Sequence, residues 1–319
     1  MKLKQLLFAS AISVAICTQT AVAQTPRWLD PQVNRVNTEK SRSSFFAYES
    51  ESLAKKGVKE ESNRFLSMEG TWKFRFCKDH NLAPKNFFLP DYDDTLWDKF
   101  PVPGLFEMNG YGDKIYKNVG YAWATQFASN PPHVEEKNNY TGSYRRTFNI
   151  PAQWKGDRIY VHVGSATSNL TLWVNGKEVG YSEDSKLAAE FDITKYVVPG
   201  QKATIAMQVM RWCDGSYGED QDFWRLSGVA RDSYLYARDA AVQLTNIKIT
   251  PDLQNNYEDG VVQIYAEVKG QPVIEYKLLN HNGIEIIKSD ANFKKRVNLY
   301  QCFQNVILNF VLFLLHQDR

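Results

Sequence analysis

Period-two alternation in short runs is the feature that most restricts what this chain can become. Trp72-Lys-Phe74-Arg-Phe76, Ile159-Tyr-Val161-His-Val163, Leu170-Thr-Leu172-Trp-Val174 and Ala203 to Met210 each repeat an apolar side chain at every second position, and Ser143-Tyr-Arg-Arg-Thr-Phe148 keeps the period with Tyr144 and Phe148 on one face. That spacing belongs to strands with one buried face. Helical periodicity is nearly absent, and only Glu51 to Lys55 predicts a short helical turn. Asn175-Gly176 separates the Leu170 to Val174 run from Lys177-Glu-Val-Gly-Tyr181. It predicts a type I′ hairpin, whose two central residues both need positive φ. Many short strands punctuated by turn residues describe an all-β sandwich.

The runs divide the 319 residues into segments. Lys2 and Lys4, the apolar stretch Leu6 to Ile16 and the small residues Ala21-Val-Ala23 read as a secretory signal peptide over residues 1–23. A lipidated Cys17 is the weaker alternative, because Ile16 is bulky where a small residue is expected. Residues 24–63 are polar and predict an extended arm lying on a surface. Residues 64–240 hold the first sandwich, which Asp232-Ser-Tyr-Leu-Tyr-Ala237 closes. Over 241–295 alternation resumes in Val242-Gln-Leu244, Ile247-Lys-Ile249, Val262 to Val268 and Ile274 to Leu278, with Asn282-Gly283 as a second hairpin signal. This reads as a partial immunoglobulin-like sandwich, since a full one needs about seven strands in roughly 100 residues. The tail, 296–319, carries the nearly unbroken apolar run Val306 to Leu315. It is shorter than the roughly 20 residues of a membrane-spanning helix. A last buried strand is one reading; the one we favour is a divergent tail produced by a slipped reading frame.

A net charge of +2 with interspersed lysines, arginines and acids excludes a basic stripe for nucleic acid. Beyond the leader, Cys77, Cys213 and Cys302 are widely spaced and odd in number, so they build neither a disulfide framework nor a zinc pattern. His133 and His162 lack metal spacing to a second ligand. Phosphate-loop, nucleophile-elbow and dinucleotide signatures are also missing.

The chemistry concentrates in Arg211-Trp-Cys-Asp-Gly-Ser-Tyr-Gly-Glu-Asp-Gln-Asp-Phe-Trp-Arg-Leu-Ser-Gly228. Carboxylates and amides exchange hydrogen bonds with sugar hydroxyls, and indole and phenol faces cover the apolar face of a pyranose. Asp214 is the leading candidate. The bland alternative makes Asp214, Asp220 and Asp222 solvated loop acids and Trp212 and Trp224 core residues. A second segment, the irregular stretch from Pro101 to Asn139, is long enough to be functional. It contains Ile115-Tyr-Lys-Asn-Val-Gly-Tyr-Ala-Trp123, where Asn118 sits among aromatic residues. Its amide could bridge a sugar hydroxyl, although asparagine is equally an ordinary turn residue.

Several segments together resemble the N-terminal part of bacterial β-galactosidases of glycoside hydrolase family 2. They are Arg211 to Asp232, Phe191-Asp-Ile-Thr194, Leu172-Trp-Val-Asn-Gly-Lys-Glu-Val-Gly-Tyr181, Thr141-Gly-Ser-Tyr144 and Ile115-Tyr-Lys-Asn-Val119. Asn34-Arg-Val and Phe45-Phe-Ala-Tyr48 resemble the family's opening segment, and coverage runs from about Trp28 to about Gly270.

The resemblance implies a galactose-binding-like jelly-roll, then an immunoglobulin-like domain, then a TIM barrel with the catalytic carboxylates. It places Asn118 and Asp214 at the rim of the galactose pocket and makes Asp214 one ligand of a sodium ion. The remaining sodium and magnesium ligands would come from the barrel. Such a barrel needs roughly 250 residues, and retaining glycosidases need two carboxyl groups about 5 Å apart. Neither is expected within this chain, so no catalytic residue is assigned. Glu219, Asp220 and Asp222 match neither the family's acid nor its nucleophile. The expectation is therefore a secreted, periplasmic carbohydrate-binding region that is inactive alone. An autonomous carbohydrate-binding module is one alternative; a subunit completed by a separate barrel chain, or a homo-oligomer, is another.

Overall fold

The computed structural model describes residues 25–123, 128–270, 273–279, 284–292, 296–304 and 309–315. The leader over 1–23, including Cys17, and the Asn282-Gly283 turn lie outside the described residues. The alternating runs fold as strands of an antiparallel sandwich, so the all-β, jelly-roll-like expectation is borne out. One face is a seven-stranded sheet. Its strands, in spatial order, are Arg35–Val36, Lys177–Ser182, Leu170–Val174, Lys202–Met210, Thr141–Asn149, Gly70–Cys77 and Asp98–Val102. The facing sheet has four strands, ordered Ala189–Asp192, Arg158–Val163, Ser233–Arg238 and Phe65–Ser67.

Alternation decides which side chains meet between the sheets. Ile205, Met207 and Val209 of the central strand are fully buried against Val161 and Leu235 of the opposite sheet in one core. Phe74 stacks on Phe100 at 4.3 Å between ring centroids and also meets Phe106, Tyr111 and Tyr144. Such aromatic pairs add to the stabilisation from burial alone. Gly142 lies beneath this cluster, where a Cβ atom would stand 2.4 Å from the Phe106 ring. The Asn175-Gly176 turn forms as expected, with φ of 50° and 80° and antiparallel strands on either side.

The arm is tied to the sandwich by charge. Its helix, Glu51–Lys56, is capped by the Ser50 hydroxyl, which accepts from the Leu53 amide, and ends at Gly57 with φ of 69°. Upstream, Arg42 donates from Nε at 2.8 Å and from Nη2 at 2.7 Å to the carboxylate of Glu190. Tyr236 Oη donates to the same carboxylate at 3.0 Å, and His162 Nδ1 lies 3.0 Å from it. Burial alone would push Glu190 up, but the His162 and Arg42 contacts overcome it and hold the carboxyl down at about 2.

Beyond the sandwich, Gln243–Gln254, Asp259–Lys269 and Arg296–Gln304 form one three-stranded sheet. Val273–Leu279, Glu285–Asn292 and Asn309–Leu315 form another. The runs at Val242 to Leu244 and Ile247 to Ile249 join in one long strand, which begins at Gln243 and has a register shift between Leu244 and Asn246. Strand pairing continues past residue 295, into the stretch whose apolar run lacked alternation. Among the described residues no helix is long and apolar enough to cross a membrane.

Candidate sugar-facing site

The two chemistry-rich segments meet. Ile115–Lys117 and Phe223–Arg225 pair as a two-stranded antiparallel ribbon, with Tyr116 opposite Trp224. Tyr116 Oη donates to Asp222 Oδ1 at 2.6 Å, and the Tyr116 and Trp224 rings lie edge to face at 5.5 Å. The ribbon presents Tyr116, Phe223 and Trp224 to solvent, each about half exposed. Asn118 follows directly after it and is exposed.

The aromatic residues of the loop divide between two roles. Trp212 is only 3% exposed, packed edge to face against Trp123 at 5.5 Å in a cluster that also holds Trp28, Tyr181 and Cys213, with Tyr217 packed against it. The bland reading of Trp212 as core is correct. The same reading fails for Trp224, which is 49% exposed.

The loop acids are likewise not simply solvated. Asp220 pairs with Arg225 at 2.5 Å, and Glu219 accepts from the amide and hydroxyl of Ser185. These contacts shape a cavity of about 470 Å³ lined by Trp123, Lys186, Arg211, Asp222, Trp224 and neighbouring residues. Its floor includes Arg211, a 2% exposed guanidinium whose Nη1 has no hydrogen-bond partner. Arg211 lies over the Tyr140 ring at 4.6 Å, donates from Nη2 to the Asp113 carbonyl at 2.9 Å, and has Nε 3.9 Å from Glu107. Glu107 accepts from the Ser227 amide at 2.8 Å and from its hydroxyl at 3.0 Å, so a buried carboxyl fastens the end of the loop. Burial pushes Glu107 up, and the Ser227 bonds and the Arg211 charge oppose it.

Asp214 occupies a different position from the cavity acids. It is 7% exposed, its amide donates to the Trp28 carbonyl at 2.9 Å, and its Oδ1 accepts from the Gly215 amide at 2.7 Å. Oδ2 is buried and accepts from no N–H or hydroxyl among the described residues, but the raised Glu183 carboxyl shares a hydrogen bond with the Asp214 side chain. Facing it are Glu183 and Cys213, with ligand-capable atoms of all three residues within 4.8 Å of one another. Burial pushes Glu183 up to about 8; the Tyr181 hydroxyl opposes the shift and the Asp214 and Glu219 carboxylates reinforce it. Burial also raises the Cys213 thiol to about 12, with Glu183 adding to it.

Sequence reasoning missed Glu183, Glu107 and Arg211 as site residues. The one available signal was the break in alternation at Tyr181-Ser-Glu-Asp184, where a strand runs into three polar residues.

A family model described as "Glycosyl hydrolases family 2, sugar binding domain" matches residues 65–239. The chain is 38% identical over 244 residues to a β-galactosidase of Priestia megaterium, covering 76% of this chain and 23% of that protein. It is 33% identical over 266 residues to a β-galactosidase of Vibrio vulnificus, covering 83% and 25% respectively. A "Beta-galactosidase large subunit" of Leuconostoc lactis is 33% identical over 272 residues, covering 81% of this chain and 42% of the subunit. The chain thus spans about a quarter of the length of the first two relatives. Among solved structures, a Bifidobacterium dentium β-glucuronidase superposes with a TM-score of 0.60 at 14% identity, over 81% of this chain and 46% of the enzyme. At that identity the likeness concerns the fold alone.

Proposed function

Because the chain belongs to glycosyl hydrolase family 2 through its sugar-binding domain, we propose that it forms one wall of a galactoside pocket whose bond-breaking groups lie elsewhere. The observation that carries this reading is the pairing of the Asn118 segment with the acidic-aromatic loop, which gathers Tyr116, Asp222 and Trp224 beside a cavity. Asn118 and Asp214 are the proposed substrate contacts, their amide and carboxylate suited to sugar hydroxyls. Asp214 would also give one oxygen to a sodium ion, and a barrel would supply the other sodium ligands and the magnesium site. Its buried carboxylate, grouped with Glu183, offers the oxygen donor such an ion takes.

Hydrolysis with retention needs two carboxyl groups about 5 Å apart flanking the glycosidic bond, and we assign that pair to the barrel. The chain alone is therefore expected to show no turnover of a chromogenic galactoside. Activity above a vector-only control, lost when the chain is immunodepleted, would overturn this. Calorimetric titration with lactose tests the wall directly. Weak binding that disappears in Asp214→Ala supports it, and binding unaltered by Asp214→Ala removes Asp214 from the pocket.

A second reading, assembly with a separate barrel chain, is favoured by the exposed ribbon of Tyr116, Phe223 and Trp224 and by a relative named as a large subunit. Solvent-facing aromatic surface of this kind suits a partner. Recovery of galactosidase activity on mixing with a separately expressed barrel is its test. We further propose secretion to the periplasm, on the basic and apolar pattern of residues 1–23.

A further inference from the structure

We propose that a small cavity on the outer face of the seven-stranded sheet binds one free, neutral hexose, at a site whose lining includes neither Asn118 nor Asp214. The cavity, of about 200 Å³, is bounded by Arg27 and Trp28 of the arm and by the strands Leu170–Val174 and Lys202–Met210. Alternation that sends Leu170, Leu172 and Val174 into the core turns Thr171 and Trp173 to the outer face. Thr171 stands between Tyr181 and Gln208 of the neighbouring strands, and Trp173 stands between Glu178 and Ala206.

The decisive group is the Asn169 amide. Asn169 lines the cavity and is 2% exposed. Its Oδ1 accepts from the Met210 amide at 3.1 Å, which fixes which end of the side chain is the donor. Nδ2 is then a buried donor with no partner among the described residues. A donor in that state costs free energy until an acceptor reaches it, and a sugar hydroxyl entering the cavity supplies one.

The remaining lining selects the ligand. Arg27 and Glu178 form an ion pair with each other, so the pair brings no net charge. Burial lowers the proton affinity of His80 against the pull of Glu136, which leaves that ring neutral as well. Gln208 donates from Nε2 to the Ser143 hydroxyl at 3.2 Å and turns an amide oxygen to the same patch as the Thr171 hydroxyl. Paired donors and acceptors without charge match hydroxyl groups, which act as both. Phe88 stacks on Trp173 at 5.1 Å and His80 meets Trp28 edge to face at 5.5 Å, holding both indoles against the space where sugar C–H groups would lie. The volume falls below the roughly 300 Å³ at which pockets accept drug-sized ligands, so one ring fits and a disaccharide does not.

The inference goes beyond the galactoside wall and does not depend on it. The test is calorimetric titration of the full chain with glucose, for which one saturable, weak site is expected. Thr171→Phe keeps a strand-forming residue and fills the cavity, so it should abolish the heat, whereas Asp214→Ala should leave it unaltered. Asn169→Ala should weaken binding roughly tenfold. Should either cavity variant misfold by circular dichroism, Thr171→Val takes its place and should weaken binding roughly threefold. No saturable heat in the parent, heat lost in Asp214→Ala, heat that survives in folded Thr171→Phe, or unaltered affinity in folded Asn169→Ala or Thr171→Val would each overturn the proposal. Lactose, too large for the cavity, reads the wall separately: its heat should respond to Asp214→Ala and not to Thr171→Phe, so either proposal can fail alone.

Discussion

Replacing Glu190 by alanine should lower the unfolding free energy by about 3–5 kcal/mol, read from urea denaturation at neutral pH. The substitution leaves the Arg42 guanidinium, 10% exposed, without the carboxylate that pairs with it twice. It also strips partners from Tyr236 and His162. A buried charge that loses its counter-ion costs far more than an exposed one, which solvent screens. The same carboxylate makes stability pH-dependent. Its folded pKa of about 2 lies below the roughly 4.3 of an unfolded glutamate. The unfolded state therefore binds the proton first on acidification. The contribution, on the order of 3 kcal/mol, is complete above the unfolded value and is lost as pH falls through the folded one. Glu190→Gln should flatten that acid limb of the stability profile; an unaltered limb would show that other carboxylates govern it.

Glu107→Ala should cost about 3 kcal/mol and, more tellingly, should release the acidic-aromatic loop. The carboxyl satisfies both the amide and the hydroxyl of Ser227 and lies beside the buried Arg211. Its loss leaves a buried amide without an acceptor and a buried guanidinium without its carboxylate. Glu107 also sits where the Phe106 amide bonds the Ser227 carbonyl at 2.8 Å, so the two loops separate together. Limited proteolysis should gain cleavage between residues 211 and 228. Glu107→Gln preserves an acceptor for Ser227 and should retain most of the protection. Equal proteolysis of parent and Glu107→Ala would show that the ribbon with Ile115–Lys117 suffices to hold the loop.

The contrast between what was legible and what was not follows from the range of each interaction. Strands such as Lys202–Met210 are written locally, because every second residue must face the core. The hairpin at Asn175-Gly176 is local as well, a matter of two residues that tolerate positive φ. The site depends on contacts between distant segments. Tyr116 meets Asp222 and Trp224 only after the sandwich has closed, and no periodicity announces that meeting. Trp212 and Trp224 share one loop, yet one is buried and the other exposed. The first continues directly from the strand end at Met210 into a buried cluster, and the second lies on the two-stranded ribbon. Glu183 was marked only by the break in alternation at its strand end, for the same reason: its burial against Asp214 joins the end of one strand to a loop about thirty residues on.

The carbonyl of Trp28 accepts the Asp214 amide, so the N-terminal arm and the loop that carries the proposed sugar contact share one hydrogen bond. A change that displaces the backbone at Trp28 would therefore be felt at Asp214, nearly two hundred residues on. Trimming the arm past Trp28 thus removes a support of the group whose ligand is sought, and shortened versions used for binding work should keep residues 25–30.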